Sequence, residues 1–132
     1  MKKKIRDSYL DGEKLFRHYC KMGGAKSIGI LRRYAVSENM FDPTNNKEPT
    51  RMGVWKAMWR WASLKENRDT AYQLFLETHQ QDIQDDEWLS QYFPDSINRK
   101  DWDALMLKRI DSAWQFRTPM LRQKFLQKNG WS

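Results

Sequence analysis

Residues 50 to 61 read TRMGVWKAMWRW, in which Arg51, Lys56 and Arg60 alternate with Trp55, Trp59 and Trp61. None of these side chains is a nucleophile or a general base at neutral pH, so the chemistry on offer is recognition. Arginine can bridge two acceptors of guanine, and lysine can serve a base or a phosphate. Thr50 followed by the free N–H groups of a first helical turn can hold a phosphate. Gly53 removes a side chain where a backbone could come close, and Met52 adds an apolar contact beside it. The indoles read as a core stripe, with base stacking by Trp59 as the alternative.

Residues suited to bond-making are scattered and do not assemble. Gly24-Ala25-Lys26-Ser27 has the end of a phosphate-binding loop, but Cys20 and Ala25 stand where that motif needs glycines, and no strand precedes it. His18 and Cys20 are two apart, which puts them on different sides of a helix, and two ligands do not make a zinc site. His79 with Asp82, Asp85 and Asp86 lacks the glycine of a calcium-binding loop and reads as a solvated helix-start cluster. We therefore expect no catalytic residues, no metal and no cofactor.

Charge points the same way as the opening stretch. The 132-residue chain is 39% hydrophobic and 31% charged with a net charge of +7, which suits one soluble domain. Residues 1–66 hold 15 Lys+Arg against 7 Asp+Glu, whereas residues 67–132 hold 9 against 10. A basic half beside a neutral half suggests a polyanion-binding face joined to a part that packs or assembles. The single cysteine, the absence of a signal-peptide pattern and the lack of a membrane-span-length apolar run lead us to expect a reducing, cytoplasmic setting.

The elements that must position these residues have the helical period almost throughout, so the expected fold is all-α with about six helices. Asp11 caps a first helix bearing Leu15, Phe16, Tyr19 and Met22, which Gly23-Gly24 ends. A second helix after Lys26-Ser27 buries Ile28, Leu31 and Ala35. Residues 39–50, NMFDPTNNKEPT, form a loop or small hairpin anchored by Met40 and Phe41. Thr50 caps the third helix, about 51–64. Its inner arc holds Val54, Trp55, Met58, Trp61 and Ala62, with Trp59 at the edge. Met52, Gly53, Lys56, Arg60 and Ser63 fall opposite. A fourth helix starts near Asn67, and a short one bears Trp88, Leu89 and Tyr92. The next carries Trp102 to Trp114. The last starts at Thr118-Pro119, is lined by Leu121, Phe125 and Leu126, and ends at Asn129-Gly130.

The stretch RRYAVSENMFDPTNNKEPTRMGVWKAMWRWA resembles helix-turn-helix DNA-binding domains with a lengthened turn, such as that of large serine recombinases. The resemblance covers about residues 25–66 and implies that the third helix enters the major groove. It departs from the family's norm in a turn of about a dozen residues rather than three or four. Carried onto this chain, it makes Arg51, Met52, Lys56 and Arg60 the base-facing residues. Thr50, Arg32, Arg33, Lys26 and the tail Lys2, Lys3 and Lys4 become backbone contacts. We thus expect a helix-turn-helix-like unit, residues 1–66, packed on a helical half, residues 67–132, that completes the core or makes a homo-oligomer. The expected function is non-enzymatic binding of duplex DNA, as in a phage or mobile-element regulator or a small terminase-like packaging subunit. RNA binding, or an adaptor whose basic half holds an acidic protein, is the alternative.

Overall fold

Why one helix can hold most of a small protein together is visible in how its neighbours meet it. The computed structural model describes residues 9–21, 28–85 and 99–131, without the side chains of 78–85 and 101. Among them run six helices: α1 (Gly12–Lys21), α2 (Ile28–Ser37), α3 (Arg51–Ser63), α4 (Arg68–Asp85), α5 (Arg99–Trp114) and α6 (Pro119–Lys128). The all-α expectation holds, and the nearest thing to a strand among the described residues is an isolated antiparallel bridge between Asp42 and Lys47.

The helix starts follow local side-chain chemistry. Asp11 Oδ1 accepts from Lys14 N at 3.0 Å, Thr50 Oγ1 from Gly53 N at 2.9 Å, and Thr118 Oγ1 from Leu121 N at 3.2 Å. Each satisfies an otherwise orphaned amide, a contribution of about 1 kcal/mol. Two of the ends share a different device. Asn39 (φ 61°) and Gly130 (φ 77°) take the left-handed conformation, and the residue after each donates to the carbonyl five positions back. Met40 and Trp131 are thereby folded under α2 and α6, where both are buried.

Helix α3 is the centre. It packs closely on α1 and α5, then on α2, and touches α4. The tightest approach is to α1, where a Cβ on Gly12 would lie 2.6 Å from Ala57 O and Trp61 Cβ, so only glycine lets these backbones meet. A single core runs through Leu15, Phe16, Leu31, Val54, Met58, Ala71, Trp102, Met106 and Leu126, among others. The change of charge near residue 66 is therefore not a division of the core. Helix α6 is the exception to this packing. It makes no close face-to-face contact with another described helix and is attached mainly through Phe125, Leu126 and the Asn129–Trp131 tail.

Four expectations need correction. Trp59, expected at the edge of the stripe, is completely buried, whereas Trp55 and Trp61 are half-buried. Ser63, placed on the solvent side by the wheel, is also completely buried. The reason is the same for both: a helix packed on several sides has no single inner arc. Leu121, expected to line α6, is 48% exposed, and Leu126 is the buried residue of that helix. Asp82 and Asp85 lie in the last turn of α4 rather than at a helix start, because α4 runs on to Asp85. The predicted features at Met22 to Ser27, the short helix at Trp88 to Tyr92, the Asn98 cap, and the side chains of His79, Asp82, Asp85 and Asp86 lie outside the described residues.

Candidate nucleic-acid interface

The residues predicted to touch DNA fall into two groups, one at each end of α3. At the N-terminal end, the chain arrives through a tight hairpin. Asp42 N donates to Lys47 O at 2.9 Å. The turn between them is held by Asp42 Oδ1, which accepts from Thr44 N at 3.0 Å and Thr44 Oγ1 at 2.6 Å, and by Asn46 in the left-handed conformation at φ 53°. Proline and asparagine are the residues such a turn needs. Buried Pro49 then fixes the approach, since Arg32 Nε donates to its carbonyl at 2.8 Å while Arg32 pairs with Glu48 at 2.9 Å. This ties α2 to the entry of α3.

Beyond that tie, the first turn of α3 is open. Arg51 is exposed and Met52 is 54% exposed. The turn contains no carboxylate, so the positive end of the helix dipole is not offset from within it. Arg33 on α2 and Lys47 on the hairpin are also exposed, and none of these three cations has an ion-pair partner among the described residues. Arg32, in contrast, is already engaged by Glu48 and the Pro49 carbonyl. Thr50 is likewise occupied as the helix cap.

At the other end, α3 is clasped by the last turn of α5 and the residue that follows it. Lys56 Nζ donates to Gln115 Oε1 at 2.7 Å, and Trp55 Nε1 to Ser112 Oγ at 3.3 Å. Arg60 Nε donates to Ala113 O at 3.1 Å, and its guanidinium lies 5.1 Å from the Trp114 ring centroid. Ser63 is the hub: its hydroxyl accepts from Trp114 Nε1 at 3.0 Å, and its carbonyl accepts from Trp131 Nε1 at 2.7 Å. Lys56 and Arg60 line a groove of about 560 Å³ with Gly12, Gly53, Trp61 and Trp114. The expectation that these two cations stand free on an outward face is therefore corrected: both are half-buried, and each spends a donor on the end of α5 or the residue after it.

This answers why indole and positive charge coincide. Arg109 lies 4.9 Å from the Trp55 ring and 5.4 Å from Trp59, Arg68 lies 3.9 Å from Trp131, and Arg99 lies 4.9 Å from Tyr72. With Arg60, four arginines stack on aromatic rings, where about one such pair per 70–80 residues is usual. Much of the cation–aromatic pattern is internal mortar. Trp59 has no free face for a base, being enclosed by Phe16, Tyr19 and Trp55 with ring centroids 5.4 to 5.7 Å away.

Two of the residues weighed for chemistry, His18 and Cys20, are accounted for by packing. His18 stacks on Tyr34 with centroids 3.8 Å apart, and burial lowers its pKa. Burial pushes the Cys20 thiol up to about 12 and the Tyr19 phenol to about 12, which keeps both neutral. Among the described residues no three His, Cys, Asp or Glu side chains group as metal ligands. No described helix is long and apolar enough to cross a membrane.

Lys2, Lys3, Lys4 and Lys26 lie outside the described residues. Sequence reasoning missed Lys47, although the Asp-Pro-Thr-Asn-Asn turn before it signalled the hairpin that presents it. No family model matches the chain, and no curated protein or solved structure matches it either.

Proposed function

We propose that the protein binds duplex DNA without catalysis, laying the first turn of α3 and the neighbouring hairpin against the double helix. The observation that carries this reading is the open N-terminal end of α3. There Arg51, Arg33 and Lys47 are exposed without ion-pair partners among the described residues, beside exposed Met52 and a helix terminus free of carboxylates. In this reading Arg51 meets a base edge, Met52 offers apolar contact to a thymine methyl, and Arg33 and Lys47 hold phosphates. The hairpin of residues 42–47 acts as a small wing, which gives the lengthened turn a purpose. Lys26, Lys2, Lys3 and Lys4 add phosphate contacts. Lys56 and Arg60 take no part in base reading. A phage or mobile-element regulator or packaging subunit working in a reducing cytoplasm is the setting that suits this size and charge.

The test is fluorescence anisotropy on a duplex selected from a random library, on its scrambled version and on double-stranded RNA, across a salt series. Binding should weaken steeply with salt. Arg51→Ala should relax the preference for the selected duplex, at a cost of about 1–3 kcal/mol. Lys47→Ala should weaken both duplexes alike and lower the salt slope by about one. Equal affinity for the scrambled duplex removes the base-reading role, tighter binding to RNA replaces DNA as the ligand, and no binding to any of the three ends the proposal.

A further inference from the structure

We infer that the outer face of α6 is a docking surface for the acidic stretch of a second copy of this chain. The division of charge at residue 66 conceals a sharper one within the C-terminal half. Residues 69–98 contain seven carboxylates and no lysine or arginine, whereas residues 112–132 contain four lysines and arginines and no carboxylate. Of those four, Arg122 is spent on Asp111, with Nε 2.6 Å from Oδ1. Arg117, Lys124 and Lys128 are exposed and have no ion-pair partner among the described residues.

The geometry of α6 gathers these charges around an apolar anchor. Its inner side holds Phe125, half-buried 4.8 Å from the Trp114 ring centroid, and Leu126, buried. Met120, Lys124 and Lys128 fall one turn apart in a row on the opposite side. Met120 is 66% exposed and Leu121, beside it, is 48% exposed, which makes them two of the large apolar side chains most open to solvent among the described residues. Like charges at i, i+4 destabilise a helix, and no carboxylate on α6 offsets this row. A phosphate backbone would satisfy the lysines and leave Met120 and Leu121 in water. A protein surface satisfies both, because interfaces set an apolar centre inside a polar rim.

The acidic stretch has the matching make-up. Beside its carboxylates it contains Trp88, Leu89, Tyr92 and Phe93, the apolar complement to Met120 and Leu121. Contact between α6 of one copy and residues 69–98 of the next joins two different surfaces, so each copy keeps one of each free and the contact can repeat into a ring or a filament.

Light-scattering mass across a concentration series, with no DNA present, tests this apart from the DNA-binding proposal. The wild-type chain should exceed its 16.0 kDa monomer mass as concentration rises at low salt. It should return to the monomer mass at about 0.5 M salt, where screening is strong. Lys124→Gln with Lys128→Gln should stay monomeric, as should Asp85→Asn with Asp86→Asn and Glu87→Gln, each with an unchanged helical circular-dichroism spectrum. Mixed, the two monomeric variants should form a one-to-one pair and nothing larger, since each lacks a different half of the contact. This mixing result does not depend on any one variant retaining every native contact. A wild-type chain that is monomeric throughout overturns the inference, as does undiminished association of the lysine variant. Loss of DNA binding by that variant with association intact also overturns it and assigns α6 to nucleic acid.

Discussion

At the N-terminal end of α3, Arg51 is exposed on a turn that contains no carboxylate, and it has no ion-pair partner among the described residues. At the C-terminal end of the same helix, Arg60 donates to Ala113 O and rests on Trp114. The residues are of one type, and what separates them is what comes later in the chain. The clasp at the second end is built from Ser112 to Gln115 and from Trp131, so a cation written into α3 becomes structural only when α5 and the C-terminal tail return to meet it. A guanidinium spread flat over an indole keeps its charge while losing part of its freedom to seek a ligand. The open end has no such returning segment among the described residues, and its charge is left for a partner.

The deepest break in this arrangement is Trp59→Ala. Trp59 is fully buried between the two ends and touches rings from α1 and from its own helix. Removing it should cost about 3–5 kcal/mol, read as a fall in the urea midpoint, and both ends should lose order together. If only the clasped end loosened, the view of α3 as a common axis would fail.

Ser63→Ala strikes the clasp alone. The change leaves Trp114 Nε1 without its acceptor and keeps the backbone carbonyl that holds Trp131. The expected loss is about 1–2 kcal/mol, the cost of a partly buried donor left unsatisfied. Anisotropy on duplex DNA, measured well below the unfolding midpoint, should not change. Trp131→Phe, which removes the other donor to Ser63, should act in the same direction by about 1 kcal/mol.

How much of this could be read from the chain depends on how far each cause lies from its effect. The caps at Asp11, Thr50 and Thr118 and the stop at Gly130 were legible because donor and acceptor sit three to five residues apart. The inner stripe of α5, Trp102, Met106, Ile110 and Ala113, was legible because one side of that helix is buried. Trp59 and Ser63 were not, because a helical wheel assumes one inner side and α3 has neighbours on several. Ser63 is buried by Trp114 and Trp131, 51 and 68 residues further on, and no local pattern announces partners at that distance. At the candidate site the same rule held. Arg51, Met52 and the hairpin were legible locally, whereas the loss of Lys56 and Arg60 to the fold was decided by Gln115 and Ala113.

Arg60→Ala should cost about 1–2 kcal/mol, because it removes a stacked cation, a hydrogen bond and the packing of its stem. Arg60→Lys should recover only part of this, since an ammonium does not stack on Trp114 as a planar guanidinium does. The duplex affinity of both variants, compared with wild type at equal fraction folded, should be unchanged within error. A specific loss of affinity would return Arg60 to the DNA interface and erase the contrast between the two ends.

The smallest stability effect is expected from Arg51→Ala, and it sharpens the comparison most. Arg51 has no partner among the described residues to lose, its backbone position is already capped through Thr50 and Gly53, and alanine suits a helix interior at least as well. Surface changes of this kind stay within about 0.5 kcal/mol. Removing the charge also relieves a cation that sits at the positive end of a helix dipole, so the sign of the small change should favour the variant. Stability and affinity should therefore move in opposite directions at Arg51, a slightly higher urea midpoint with weaker, less selective binding. At Arg60 only stability should move. Should Arg51→Ala instead unfold the protein as readily as Arg60→Ala does, the open end would be bearing weight in the fold, and exposure would have been a poor guide to where the chain meets its ligand.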